Sequence, residues 1–191
     1  MADTKKSGEE QGASKPSLKG EIYDWLQCIV TALVISILVF VFIGRIIGVD
    51  GHSMNPTLLD KQRVIMSNLF FTPKQGDIVV LTKKSFDDEP IVKRIIATEG
   101  QKVDINFENG EVWVDDVLLD EPYIAEKTHR YYGLEFPLVV EDGCVFVMGD
   151  NRNKSSDSRD PDLGTVDTRC ILGKVYAIIF PFSDIGWVNH G

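Results

Sequence analysis

From Trp25 to Ile43 the chain runs 19 residues without a charge, with only Gln27, Thr31 and Ser36 as clearly polar interruptions. At ~1.5 Å per residue a helix of that length matches the roughly 30 Å hydrocarbon thickness of a bilayer. A segment apolar on every face has no side to offer water, so it fits a membrane span better than a core helix of a small domain. It also exceeds the ~7–15 apolar residues of a cleaved leader. The following Gly44-Arg45-Ile46-Ile47-Gly48 has no small-x-small cleavage site, so a retained anchor is expected. The chain then divides into a tail over 1–20, a transmembrane anchor over 21–45 and a folded domain over 46–191.

The tail is rich in Ser, Gly, Lys and Glu and almost free of large apolar side chains, so it cannot bury enough surface to offset ordering. Lys5, Lys6, Lys15 and Lys19 precede the apolar run, while Arg45, Lys61 and Arg63 follow it. This bias favours a cytoplasmic N-terminus, with the domain on the outer face of the plasma membrane.

Beyond Gly48 the pattern changes to short β-branched runs set between turn residues. Ile78-Val79-Val80-Leu81, the run after Pro90 that contains Lys93, Cys144 to Met148, and Ile171 to Phe180 all read as strands. Val103 to Phe107 and Val112 to Val114 read as a hairpin turning at Asn109-Gly110, which tolerate the positive φ of a type I′ turn. No later stretch holds a helical period. A mainly β domain of one core is expected.

The net charge of −9 and the absence of a Lys/Arg block argue against nucleic acid as a partner. Cys28 lies inside the apolar run, and Cys144 and Cys170 read as small buried hydrophobes, not as a bridge. Neither the cysteines nor His52, His129 and His190 have metal-ligand spacing, so no metal and no cofactor is expected.

Ser53, in Gly51-His52-Ser53-Met54-Asn55-Pro56-Thr57, follows the apolar run by ten residues. A serine hydroxyl needs a base to take its proton as it attacks a carbonyl carbon. His52 is its sequence neighbour and tends to point elsewhere, and His129 and His190 carry no flanking motif, so a lysine is the better candidate. In Ile91-Val92-Lys93-Arg94-Ile95-Ile96 a strand would set Lys93 on one face with Ile91 and Ile95. Lysine near pKa ~10.4 is protonated, and desolvation would have to bring it down by ~2–3 at a cost of about 3–4 kcal/mol. Taken alone, this strand fits a snorkelling edge lysine more simply. Likewise Gly149-Asp150-Asn151-Arg152-Asn153-Lys154-Ser155-Ser156-Asp157-Ser158-Arg159 alone reads as a polar surface loop.

Together, Ser53 to Thr57, Lys93-Arg94 and the Gly149 to Arg159 box resemble the type I signal peptidases, membrane-bound Ser/Lys proteases, in their compact Gram-positive-like form. The resemblance spans most of residues 22–191. It implies a signal-peptidase-like β-sheet or barrel domain, with Ser53 as nucleophile and Lys93 as general base. It further implies that Ser155 orients the lysine amine, with Asp150, Arg94, Asp157 and Arg159 as supporting ion pairs. Some members have a serine two residues before the nucleophile that helps hold the oxyanion. Here Gly51 stands there, leaving the oxyanion to backbone donors such as Ser53 N–H, with Gly51 as a further contributor. Met54, Leu58 and Val92 match positions lining the pocket beside the scissile bond, and each also has an ordinary core explanation.

The implied partners are secretory preproteins cut after Ala-x-Ala-like sequences, and the lipid bilayer. A monomer is expected. Phe70-Phe71 could seat the domain on lipid or be half-buried core. The rival readings are a self-cleaving repressor, which the apolar run disfavours, and a membrane-tethered module that binds signal sequences without cutting, which the presence of both Ser53 and Lys93 disfavours.

Overall fold

The structure, a computed structural model, describes residues 18–42, 44–83, 85–86 and 89–190. Most of the expected tail, residues 1–17, lies outside them. The described residues fall into two compact units, divided between Val39 and Phe40.

The helix α1 (Leu18–Phe42), most of which makes up the first unit, includes one stretch, Gly20–Leu38, long and apolar enough to cross a membrane. Ile22, Tyr23, Trp25, Val34, Ile35 and Leu38 are all exposed, on every side of the helix axis. The helix starts earlier than the expected anchor and stops before Arg45. Arg45 instead opens strand β1 (Arg45–Gly48), because Arg45 to Gly48 find partners in β2 (Arg63–Ser67), with Arg45 opposite Met66 and Gly48 opposite Arg63.

The second unit is mainly β. Its larger sheet contains β1, β2, β3 (Ile78–Leu81), β4 (Ile91–Thr98), β9 (Cys144–Met148), β10 (Val166–Asp167) and β11 (Ile171–Phe180). They lie in the order β1-β2-β11-β3-β4-β9-β10, and the short β12 (Gly186–Trp187) pairs with β11. The smaller sheet is β7-β6-β5-β8, made of β5 (Lys102–Asn106), β6 (Glu111–Val114), β7 (Val117–Leu118) and β8 (Leu138–Val139). Pairings among the described residues are antiparallel throughout.

Period-2 alternation explains why β3 and β4 are apolar on both faces. Ile78 and Val80 enter one core cluster, with Met54, Leu58, Val64, Val92 and Val175, whereas Val79 and Leu81 enter another with Ile95, Val147 and Ile171. A third cluster joins the sheets, packing Ile96, Phe146 and Met148 on Val103, Ile105, Val112 and Val114. β4 is therefore an interior strand, not an edge, and a lysine within it has no short route to water.

The β5–β6 hairpin forms, but not with a two-residue turn. Asn106 pairs with Glu111, leaving residues 107–110 as a four-residue loop. Asn106 Oδ1 accepts from the Glu108 and Asn109 amides, and only Gly110 takes positive φ, at 73°. A side chain capping its own turn supplied what the type I′ geometry would have required of Asn109. Phe70 and Phe71 divide the two roles considered for them: Phe70 is 97 % exposed, while Phe71 packs on the β3–β9 cluster. Cys28, Cys144 and Cys170 are free thiols. Cys28 is exposed, and Cys144 and Cys170 are half-buried against core clusters, less enclosed than expected.

Candidate active site

Ser53 sits in the loop between β1 and β2. The loop is closed at its base by Val49 N–H to Gln62 O and Lys61 N–H to Val49 O, both at 2.8 Å. Within it Leu58 N–H returns to Met54 O at 3.0 Å, and both side chains are buried in the core. Two apolar anchors thus flank Ser53 on the core side and leave its hydroxyl to be placed by the next layer.

That layer is Lys93. Its Nζ donates to Ser53 Oγ at 2.9 Å, and the residue is 3 % exposed. On β4 it lies opposite Val79 and shares a face with Ile91 and Ile95. A buried amine in hydrogen-bond contact with a hydroxyl is the arrangement that base-assisted attack by serine requires.

Arg94, next along β4, points to the other face and grips Asp150 through two bonds of 2.8 Å, with both side chains fully buried. Asp150 also accepts a short hydrogen bond from Thr57 Oγ1 of the serine loop. Asp157 pairs with Arg159 through bonds of 2.8 Å from Nε and NH2, and accepts from Gly149 N–H at 3.0 Å. Both ion pairs thus brace the Gly149–Arg159 loop.

Gly149 packs where no side chain fits, since a Cβ there would overlap the Ser155 side chain and the Ser53 carbonyl. Ser155 is therefore brought beside the Ser53 backbone. Its Oγ is buried and makes no hydrogen bond among the described residues, so the implied contact with the lysine amine is not formed in this geometry.

The Ser53 N–H has no protein acceptor among the described residues, as an oxyanion donor must. Gly51 does not share that property. Its N–H donates to Asp60 Oδ1 at 2.8 Å, and that bond holds the half-buried Asp60 carboxyl below its ordinary value. The expectation that Gly51 adds a second backbone donor is corrected on this ground. Met54, Leu58 and Val92 lie together in one buried cluster with Val64, Ile78 and Val175, filled core in this structure.

Four groups that the sequence reading left without a role complete the site. Asn151 holds the serine loop twice, through N–H to Ser53 O and Nδ2 to His52 O, both at 3.0 Å. Arg152 is fully buried, pairs with Glu121, and donates to Thr128 Oγ1 at 2.9 Å and Gly149 O at 3.2 Å. Tyr123 lies against Arg94, with the guanidinium carbon 3.8 Å from the ring centroid. Burial, then Glu121, holds its phenol well above its ordinary value and keeps the ring neutral. Asn151 and Arg152 were visible inside the box as a uniform polar run, whereas Glu121 and Tyr123 carried no local signal.

A serine and a buried lysine in hydrogen-bond contact on a mainly β scaffold, braced by buried ion pairs, define a hydrolase-type site. The comparisons with known proteins make that class specific. The family model described as "Signal peptidase, peptidase S26" matches residues 22–180. Signal peptidase I S of Bacillus subtilis strain 168 is 36 % identical over 187 residues, covering 91 % of this chain and 97 % of its own. Signal peptidase I of Bacillus amyloliquefaciens is 35 % identical over 181 residues, covering 90 % and 95 %. Signal peptidase IB of Staphylococcus aureus strain COL is 33 % identical over 185 residues, covering 87 % and 94 %. A solved signal peptidase I from Enterococcus faecalis V583 is 26 % identical with a TM-score of 0.45, covering 55 % of this chain and 97 % of that one. The chain belongs to the peptidase S26 family of signal peptidases, and it is an enzyme of that family.

Proposed function

We propose that this enzyme is a membrane-anchored serine endopeptidase that removes N-terminal signal peptides from secreted preproteins, cutting after Ala-x-Ala-like sequences. The observation that carries the mechanism is the 2.9 Å contact between Lys93 Nζ and Ser53 Oγ at a lysine buried within an interior strand. Ser53 Oγ attacks the scissile carbonyl carbon while the neutral Lys93 amine takes its proton. The tetrahedral oxyanion forms against the Ser53 N–H. As it collapses, the ammonium returns the proton to the leaving amine, and the mature chain departs with a new N-terminus. Water then gives a proton to Lys93 and attacks the ester, releasing the signal peptide and restoring the hydroxyl.

Asp150 with Arg94, and Asp157 with Arg159, hold the Gly149–Arg159 loop against Ser53. Ser155, in that loop, is the group assigned to orient the amine once substrate fills the site. Met54, Leu58 and Val92 would form the floor of the small-residue pocket if the serine loop shifts on binding. The helix α1 would span the plasma membrane with its N-terminus cytoplasmic. Ser53 follows it by so few residues that the scissile bond must emerge near the bilayer surface. The enzyme would act as a monomer without a cofactor.

The test is cleavage of a purified precursor with an Ala-x-Ala site, in detergent or lipid, with product termini read by mass spectrometry. The parent should cut after the small residue, and Ser53→Ala and Lys93→Ala should remain folded without activity. A Lys93→Ala enzyme that keeps its rate would refute the lysine base, and a parent that binds the precursor without cutting would favour a tethered binding module.

A further inference from the structure

All five N–H donors of the buried Arg94 are engaged. Nε and NH2 take the two oxygens of Asp150 at 2.8 Å each, and NH1 donates to the Gly76 carbonyl at 2.9 Å. The remaining two reach the C-terminal segment: NH1 to the His190 carbonyl at 2.8 Å and NH2 to the Asn189 carbonyl at 3.4 Å. We infer that the segment Val188–His190 is a positioning element of the peptidase site, acting through Arg94. The inference rests on the reading of Ser53 and Lys93 as the reacting pair.

The segment is seated at three independent points. Val188 N–H donates to Tyr176 O at 2.9 Å, and its side chain enters the core cluster that holds Met54 and Leu58. Ile78 N–H donates to His190 Nδ1 at 3.1 Å, so the imidazole itself binds β3. Gly76, at φ +90°, leaves room for the His190 carbonyl, which any Cβ would overlap. A segment so placed completes the guanidinium's set of acceptors, and main-chain carbonyls do so without adding a competing charge.

The path to the nucleophile is continuous. Arg94 holds Asp150, Asp150 accepts from Thr57 in the serine loop, and the adjacent Asn151 holds the carbonyls of Ser53 and His52. Without the Asn189 and His190 carbonyls, a dry guanidinium loses two of its acceptors. It then either turns toward other carbonyls or admits water, and in both cases its grip on Asp150 loosens.

The experiment uses the full chain with a stop codon after Val188, together with His190→Ala and His190→Asn, in the precursor-cleavage assay. The truncated enzyme is expected to melt cooperatively and to lose about tenfold in kcat with KM changed by less than about twofold. In an Arg94→Lys background the same truncation should change kcat by less than about twofold, because the two changes remove one interaction. His190→Ala should lower kcat, and His190→Asn, whose Oδ1 can replace Nδ1 as acceptor for Ile78 N–H, should restore it.

Amide hydrogen exchange over 149–155, measured on Ser53→Ala protein, should quicken on truncation. This readout needs no turnover, so it judges the segment even if the parent proves unable to cleave. A folded truncated enzyme with parental kcat overturns the inference, as does an equal loss with and without Arg94→Lys. If the truncated chain does not fold, parental activity and exchange in His190→Ala overturn it instead.

Discussion

Asp150 and Arg94 form a bidentate pair with no solvent access, each of the two bonds 2.8 Å long. Removing one partner of such a pair leaves the other as an uncompensated buried charge. Asp150→Asn should therefore destabilise the domain by about 3–5 kcal/mol, read as a lower urea midpoint with an unchanged slope. Activity should fall in the same variant under conditions where it remains folded, because Asn151 follows directly and holds Ser53. An unaltered midpoint would show that the pair is not buried in solution.

Gly149 is a second point of sensitivity. Gly149→Ala forces a methyl against the Ser53 carbonyl and Ser155, two groups fixed by other contacts. Overpacking of this kind costs about 1–3 kcal/mol, and here the displaced atoms belong to the site. The expected result is a modest fall in melting temperature with a disproportionate loss of kcat. A variant with normal kcat would mean that the loop yields without moving Ser53.

Asn151 separates the two holds on the serine loop. Asn151→Ala keeps the backbone bond to Ser53 O and deletes only Nδ2 to His52 O. One hydrogen bond of this kind contributes about 1 kcal/mol, so a loss of roughly tenfold or less in kcat is expected, with little change in KM. Asn151→Asp, which replaces the donor by an acceptor facing a carbonyl, should lose more. Steady-state cleavage of a peptide substrate distinguishes the two.

His190 gives the stability an acid limb. Burial, then the nearby Lys174, depresses its pKa below the ordinary 6.5, outweighing the opposite pull of Asp77, and Arg94 adds to the depression. The folded state thus prefers the neutral ring, as its role as acceptor for Ile78 N–H requires. The contribution is complete above the ordinary value and is lost as pH falls through the depressed one. Urea unfolding at pH 7 and pH 5 should show a smaller loss on acidification for His190→Asn than for the parent. Equal losses would assign the acid limb to other groups.

The apolar helix, the strands over 78–81, 144–148 and 171–180, the strand run 91–96 and the signal-peptidase family were all legible in the sequence. Each rests on local information: hydropathy over one turn or one pleat, or a short motif whose residues are neighbours in sequence. Ser53 and Lys93 were singled out in the same way, by motif, although the strand around Lys93 taken alone favoured an edge lysine. Only the placement of β4 between β3 and β9 makes it interior, and that placement depends on pairings 10 or more residues away in the chain.

The same distinction explains what was misplaced or missed. Gly51 N–H turns to Asp60, nine residues on, and Asn106 caps its own loop in place of an Asn-Gly turn. Met54, Leu58 and Val92 are apolar in any reading, and only packing makes them one core cluster. Arg94 illustrates the limit most plainly, since its carbonyl and ring partners at Gly76, Tyr123, Asn189 and His190 are identified by position and not by side-chain type. A main-chain carbonyl carries no signature in the amino-acid sequence. Apolar periodicity and motif chemistry therefore determined the apolar helix, the strands and the choice of Ser53 and Lys93 as candidates, while the tertiary structure alone decided that the two meet and which distant backbone and buried charge hold them in place.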